Sequence, residues 1–387
     1  MSSPNRLHVV DALRGFAIVS IMLLHNIEHF DFYYLPENLP AWLVTLDKGV
    51  WDTLFFLFGG KSYAIFALLF GLTYFIQTDN QQKKGNDFRG RFAWRLLLLL
   101  GFGIINSTFY MGDILFVYAL LGFTLIPVTK LSNKTVFITA LILMAQPVEL
   151  IKLIYGIIYS PQLPDPASWV YYSKIGDYLS SDSMWTTLRG NLVNGKIAVL
   201  LWTWEYGRVF QTISLFMFGM LAGRYGIFSN SDKNVSFWKK VLLTSIIAFI
   251  PLFYLKSNIL EWVSTVAVNR PLELIVRSWS NMAFMLVLVS GFVLLFKQKA
   301  FHNKLNVLSA YGKMSMSNYI LQSILGSFIY YGFGLGLYQY TGATYSLLIG
   351  LVLAVLQGIF STWWMKHHKQ GPLESIWHKL TWIGPKS

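Results

Sequence analysis

Asp11-Ala12-Leu13-Arg14-Gly15-Phe16-Ala17-Ile18-Val19-Ser20-Ile21-Met22-Leu23-Leu24-His25 opens an apolar run continuing to Phe30. A stretch of this length and character, near the twenty residues a bilayer crossing needs, reads as a transmembrane helix over Ala12–Phe30. Two of its residues are expensive there. Arg14 and His25 stand eleven positions apart. At about 100° and 1.5 Å per residue that is roughly three turns and about 16 Å of rise, so both side chains fall near one stripe. An ionisable residue within a membrane segment marks a functional site by default. Arg14 would sit near one surface, and His25 about two-thirds of the way through.

Similar apolar runs recur through all 387 residues, which are 55% hydrophobic and 13% charged. The predicted fold is an all-α polytopic membrane protein with about ten transmembrane helices: Ala12–Phe30, Lys61–Gln77, Phe92–Tyr110, Ile114–Val128, Thr135–Tyr155, Arg208–Ile227, Phe237–Tyr254, Val276–Phe296, Ser315–Leu337 and Tyr345–Met365. Val50–Gln77 is too long for one simple span and is interrupted by Gly59-Gly60-Lys61. Trp42–Phe58 is therefore read as an interfacial or re-entrant helix before the second span. Residues 159–200 read as an extracytoplasmic amphipathic connection within a single integral membrane domain, 1–387. Its aromatic residues Trp169, Tyr171, Tyr172, Tyr178 and Trp185 suit either an interfacial helix or a lid over a site. No cleavable leader is expected, because Met1–His8 is short and polar.

The net charge of +13 invites a nucleic-acid reading, but the placement of the charges argues for topology instead. One set of loops carries Arg6, Lys83, Lys84, Arg89, Arg91, Arg95, Lys130, Lys134, Arg224, Lys233, Lys239, Lys240, Lys297, Lys299, Lys304, Lys313, Lys366, Lys369, Lys379 and Lys386. The opposite set carries Glu28, Asp31, Glu37, Asp47, Asp165, Asp177, Asp182, Glu205, Glu261 and Glu273. The positive-inside rule then places both termini in the cytoplasm. With no cysteine there is no disulfide, thiolate or Cys-based zinc site.

Each polar residue in an apolar segment has a plain reading beside a chemical one. Asp11 and Arg14 can pair across one helical turn, or Arg14 can hold a phosphate through its planar fork. His25 can be a structural imidazole or a general base. His29, one turn on, would share its face; the two could ligate a metal, but no acid or cysteine stands at a fitting spacing, so no metal is expected. Asp113 can cap the fourth span or take part in catalysis. Lys61 can reach the headgroups or face a site. Asn106 is a further buried polar group. Ser317, Asn318, Gln322 and Ser323, with Gln357 and Ser361, can bond between helices or line a substrate cavity.

Several stretches resemble the YeiB-like membrane proteins, grouped as domain of unknown function 418. They are Asp11–Ala17; Gly60-Lys61 with Phe66–Gly71; Arg95–Leu99; Gly112–Leu115 with Tyr118–Gly122; Gly219-Met220 with Gly223-Arg224; Gly312–Tyr319 with Leu321-Gln322-Ser323; Tyr331-Gly332 with Gly334–Leu337; and Gly371-Pro372-Leu373-Glu374. That family is similar to a wider group of transmembrane acyltransferases, including sugar O-acetyltransferases and the lysosomal heparan glucosaminide N-acetyltransferase. The O-acetyltransferases carry Arg, ten residues, then His in the first span, a spacing that Arg14 and His25 match. The resemblance implies an enzyme of the bacterial inner membrane. It would move an acyl group from cytoplasmic acyl-CoA or acetyl-CoA to an extracytoplasmic acceptor, a glycan or a lipid-linked molecule. Arg14, Lys61 and Arg95 would hold the donor; His25, with Asp113 and Asn106, would serve the transfer; His29, Asn318 and Gln322 would face the acceptor. Membrane lipid is an expected partner and nucleic acid is not. A transporter or flippase using the same polar residues, and a non-catalytic scaffold, are the competing readings.

Overall fold

The computed structural model describes residues 7–37 and 39–383. Arg6 and Lys386, counted above among the basic loop residues, lie outside them. Among the described residues the regular structure is helical, without a strand. In chain order the helices are α1 (His8–Ile27), α2 (Ala41–Leu57), α3 (Ser62–Gln82), α4 (Arg89–Phe109), α5 (Ile114–Gly122), α6 (Leu125–Val128), α7 (Asn133–Met144) and α8 (Pro147–Tyr159). Next come three short helices, α9 (Ala167–Tyr172), α10 (Ile175–Leu179) and α11 (Met184–Gly190), and then α12 (Lys196–Glu205) and α13 (Arg208–Arg224). The chain closes with α14 (Asp232–Trp262), α15 (Val266–Lys297), α16 (Lys299–Lys313), α17 (Ser315–Tyr330), α18 (Ala343–His367) and α19 (Pro372–Thr381).

Each of the ten predicted segments overlaps a helix, but bounds and lengths differ. Six helical stretches are long and apolar enough to cross a membrane, or up to seven if the bent pair α7–α8 is one span. This is the composition and helix content of a membrane protein. Ile114–Val128 breaks into two short helices, and α13 and α17 run only 17 and 16 residues. By contrast, α14 and α15 are 31 and 32 residues, about 46 Å or more each, and continue through Pro251 and Pro271. The α7–α8 bend of 43° falls at Gln146-Pro147. Gln146 takes φ +62°, and its Nε2 donates to Gly207 O (3.0 Å) and Ser278 Oγ (2.9 Å), which holds the kink.

Three expectations need correction. First, α1 stops at Ile27, because His29, Phe30 and Asp31 take φ of +48°, +56° and +66°; His29 is thus off the helix that carries His25. Second, residues 159–200 do not form one interfacial helix. They fold into short helices whose Ile175, Tyr178 and Leu179 join Phe30, Tyr110 and Tyr331 in a buried cluster, which caps the bundle at the end where α1 finishes. Third, Lys299–Lys313, read as a loop, is the helix α16. Its polar composition conceals it, yet it packs along α1.

The α1–α16 contact explains two of the stretches quoted above, Asp11–Ala17 and Gly312–Tyr319. A Cβ on Gly15 would stand 2.1 Å from Leu308 O, and one on Gly312 would stand 1.8 Å from Asp11 O. The backbones touch, as small residues permit between membrane helices. The C-terminal motif has an equally physical role. Helix α17 follows α16 with only Met314 between them, so its first N–H groups need acceptors. Glu374 supplies them. Its Oε1 accepts from Met316 N (2.7 Å) and Ser317 N (3.1 Å), and its Oε2 accepts from Ser317 Oγ (2.5 Å). A carboxylate there also meets the positive end of the helix dipole. Glu374→Ala is expected to cost about 1–3 kcal/mol, read as a lowered melting temperature of the purified protein, with Glu374→Gln less affected. An unchanged melting temperature for the alanine variant would show that the cap contributes nothing.

Candidate functional site

The end of the bundle where α1 finishes holds an open cavity of about 570 Å³. α1 contributes Ile21, Leu24 and His25, and the segment after it contributes Glu28, Asp31 and Tyr33. The α4–α5 turn brings Tyr110, Gly112 and Asp113. Tyr63 comes from α3, Tyr319 from α17, Trp169 and Tyr172 from the capping segment, and Trp202, Tyr206 and Arg208 from α12, its C-terminal end and the start of α13. Aromatic rings are the commonest wall residues, and a few convergent charged groups lie among them, the usual form of a small-molecule site.

His25 is half-buried in this wall. Its ring lies 4.6 Å from that of Tyr110, 5.5 Å from Phe30 and 6.4 Å from Tyr319, centroid to centroid. Its Nδ1 is buried without a hydrogen-bond partner. A buried polar atom of this kind calls for an explanation; an imidazole awaiting a ligand is one. Asp113 is fully buried. Its Oδ2 accepts from Phe116 N (2.8 Å), and its Oδ1 accepts from Asn106 Nδ2 (2.8 Å). The capping reading of Asp113 is therefore met in full, although the residue also lines the cavity. Next to it, Tyr319 OH accepts from Ile114 N at 3.2 Å. Arg208 lies with its guanidinium 4.1 Å over the Tyr63 ring and 4.8 Å over Trp202.

Glu28 and Asp31 lie past the end of α1, in the segment leading to α2. Tyr33 OH donates to Glu28 Oε1 at 2.9 Å. Burial pushes both carboxyls above the usual carboxylate range, and for Glu28 the neighbouring Asp31 charge adds to this. An acid raised in the folded state holds its proton to higher pH than in the unfolded chain. Its contribution to stability is therefore greatest below the ordinary carboxylate value of about 4 and declines as pH rises through neutrality. The melting temperature is expected to fall across that window and to fall less in Glu28→Gln; parallel profiles for the two proteins would refute the assignment.

Of the residues singled out from the sequence, this cavity gathers His25 and Asp113, with Asn106 directly behind Asp113. Lys61 lines the adjoining cavity, where its Nζ donates to Phe55 O (3.3 Å) and Phe56 O (2.9 Å) at the end of α2. The other candidates lie elsewhere. Arg14 pairs with Asp11 Oδ1 (3.2 Å) and donates to Thr73 Oγ1 (3.0 Å), tying α1 to α3. Arg95 donates to Thr381 Oγ1 (3.1 Å) and stacks 4.0 Å from Trp377, clamping α19. His29 bonds Ser346 Oγ (2.9 Å) and stacks on Tyr330. Asn318 donates to Ser361 Oγ (2.9 Å) and Tyr311 O (3.2 Å). Gln322 is buried with neither amide atom bonded. Among the described residues no cluster of His, Cys, Asp or Glu is suited to a metal ion.

Sequence reasoning missed Glu28, Asp31 and Arg208 as site residues, counting them as loop charges or a helix start. The available signal was their place at the ends of apolar runs, where a charge that turns inward looks the same as one that turns to water.

Residues 222–384 match the family described as protein of unknown function (DUF418). Over almost its whole length the chain is similar to the uncharacterized protein YxaH of Bacillus subtilis (strain 168), 27% identical over 98% of this chain and 94% of that protein. It is likewise similar to the uncharacterized protein YeiB of Escherichia coli (strain K12), 26% identical over 96% and 95% of the two chains. No solved structure matches. Glu374 and Gly312, whose roles at the α16–α17–α19 junction are described above, fall within the matched region, and the chain is similar to the YeiB-like DUF418 proteins there and, through these relatives, along nearly its whole length.

Proposed function

We propose that the protein is an acyl-CoA-dependent acyltransferase of the bacterial inner membrane, built as a single integral membrane domain of ten spans with both termini cytoplasmic. The loop-charge bias supports that orientation. It places the His25 cavity toward the extracytoplasmic side and the Arg14 end of α1 toward the cytoplasm. The observation that carries the functional reading is His25: an imidazole in the wall of an aromatic cavity, with a ring nitrogen the chain leaves unbonded. In the proposed reaction His25 takes the proton from an acceptor hydroxyl or amine as that group attacks the thioester carbonyl. The acyl–oxygen or acyl–nitrogen bond forms, the carbon–sulfur bond breaks, and CoA leaves as the thiol after protonation. Tyr319, whose hydroxyl accepts from Ile114 N and so keeps its own proton to give, stands beside the imidazole and is the donor proposed for the developing oxyanion. The aromatic rings Trp169, Tyr172, Trp202 and Tyr206 suit the flat face of a sugar acceptor.

The test is transfer of labelled acetyl from acetyl-CoA by purified protein in bilayers to an extract of bacterial envelope glycans and lipids. Label appearing in an acceptor supports the proposal, and its absence with folded protein and a range of acyl-CoA donors rejects it. One observation favours a transporter instead: the break between α2 and α3, with Gly60 at φ +77° and the carbonyl end of α2 facing a cavity, is the kind of interruption transporters place at their sites. Flux of a substrate without covalent change would select that reading.

A further inference from the structure

A second cavity of about 620 Å³ adjoins the first and shares Phe55, Gly59, Gly60, Trp202, Tyr206 and Arg208 with it. Its charged lining is one-sided. Lys61, Arg208, Lys256 and Arg277 supply four cations, and Asp52 the one carboxylate. Asp52 is taken by Lys48 at 2.5 Å. Arg277 has a partial partner in Glu273 at 3.5 Å. Among the described residues, no carboxylate forms an ion pair with Lys61, Arg208 or Lys256. These residues come from separate elements: the α2–α3 break, the start of α13, and two facing helices, α14 and α15. Four elements thus converge charges that in an apolar surrounding are costly unless something negative meets them. Backbone carbonyls and aromatic rings meet part of the cost at Lys61, and rings do so at Arg208. Ser280 and Asn281 add neutral polar atoms to the same wall.

We propose that this second cavity binds a phosphate-bearing ligand, whose phosphate sits among Lys61, Arg208, Lys256 and Arg277 while the rest of the molecule reaches past Gly59 and Gly60 toward His25. Two guanidinium forks and two ammonium groups match the several oxygens and multiple charge of a phosphate monoester or pyrophosphate. A carboxylate offers a single charge. The phosphate can belong to a lipid headgroup or to a water-soluble anion. The site stands whether or not acyl transfer occurs, since it rests on charge and shape alone.

Two arms test it and separate the sources. Inorganic phosphate and pyrophosphate are titrated calorimetrically into protein held in a non-ionic detergent. In parallel, protein in phosphatidylcholine nanodiscs with and without phosphatidic acid is analysed by native mass spectrometry for retained lipid. Saturable one-to-one binding in the first arm identifies a soluble anion, and selective retention of phosphatidic acid in the second identifies a lipid. In either case Lys256→Gln and Arg277→Gln are each expected to weaken binding about tenfold or more. Lys366→Gln, an exposed change of equal charge, is expected to leave it unaltered. Lys256 and Arg277 are only half-buried, and an unchanged melting temperature verifies that each variant is folded. Neither arm contains an acyl-CoA donor, so a failed transfer assay and a failed binding assay are told apart. Absence of saturable binding in both arms, or equal binding by the folded double variant, overturns the proposal.

Discussion

Replacing His25 with alanine is expected to lower acyl transfer by about 10²–10⁴-fold, the range that one positioned acid–base group contributes, while the protein stays folded. The second half of that expectation follows from the ring's surroundings. No hydrogen bond within the chain is lost, because Nδ1 makes none, and the neighbouring rings of Tyr110, Phe30 and Tyr319 can settle into the vacated space. The measurement is the initial rate of label transfer from acetyl-CoA beside the melting temperature of the same preparation. A folded variant with undiminished transfer would remove His25 from the chemistry.

The largest structural effect is expected at Gly312. Adding side chains to a packed interior usually costs about 1–3 kcal/mol, because neighbours shift to make room. Here the obstacle is backbone: the new Cβ would meet Asp11 O at 1.8 Å and Gly15 N at 2.8 Å, and no rotamer change relieves that. Gly312→Leu must push α16 away from α1, and it is expected to yield aggregated protein or one with a melting temperature lower by about five degrees or more, roughly what several kcal/mol produces in a chain of this size. Gly291→Ala is the matched control. A Cβ there meets nothing within 4 Å, and alanine favours a helix interior by up to about 1 kcal/mol over glycine. Equal behaviour of the two variants would mean that the α1–α16 contact is not needed.

Periodicity and apolar length located most of the helices, because burying backbone in an apolar medium leaves the chain few choices. The Asp11–Arg14 pair and the capping role of Asp113 were visible for a similar reason: both are settled within a turn or two of sequence. What could not be read depends on distant partners. Nothing local marks α16 as a helix that fits against α1 through Gly312. His29 looked like a neighbour of His25 on one face, but the helix ends at Ile27 and the backbone turns left-handed at His29 itself. The cavity joins side chains from five or more separate segments, so Glu28 and Arg208 looked like ordinary span-end charges. Arg95 shows the reverse: a basic residue with the look of a ligand-binding group is consumed by Trp377 and Thr381, nearly three hundred positions away.

The capping of α17 by Glu374 has a consequence for how the protein is made. The helix is synthesised some forty residues before the carboxylate that completes its first turn. Until Glu374 leaves the ribosome and docks, Met316 and Ser317 must rely on water or a chaperone for their bonds. The junction of α16, α17 and α19 therefore closes only after α17 itself has been made. A nascent chain interrupted before Gly371 would carry an open helix start at that junction.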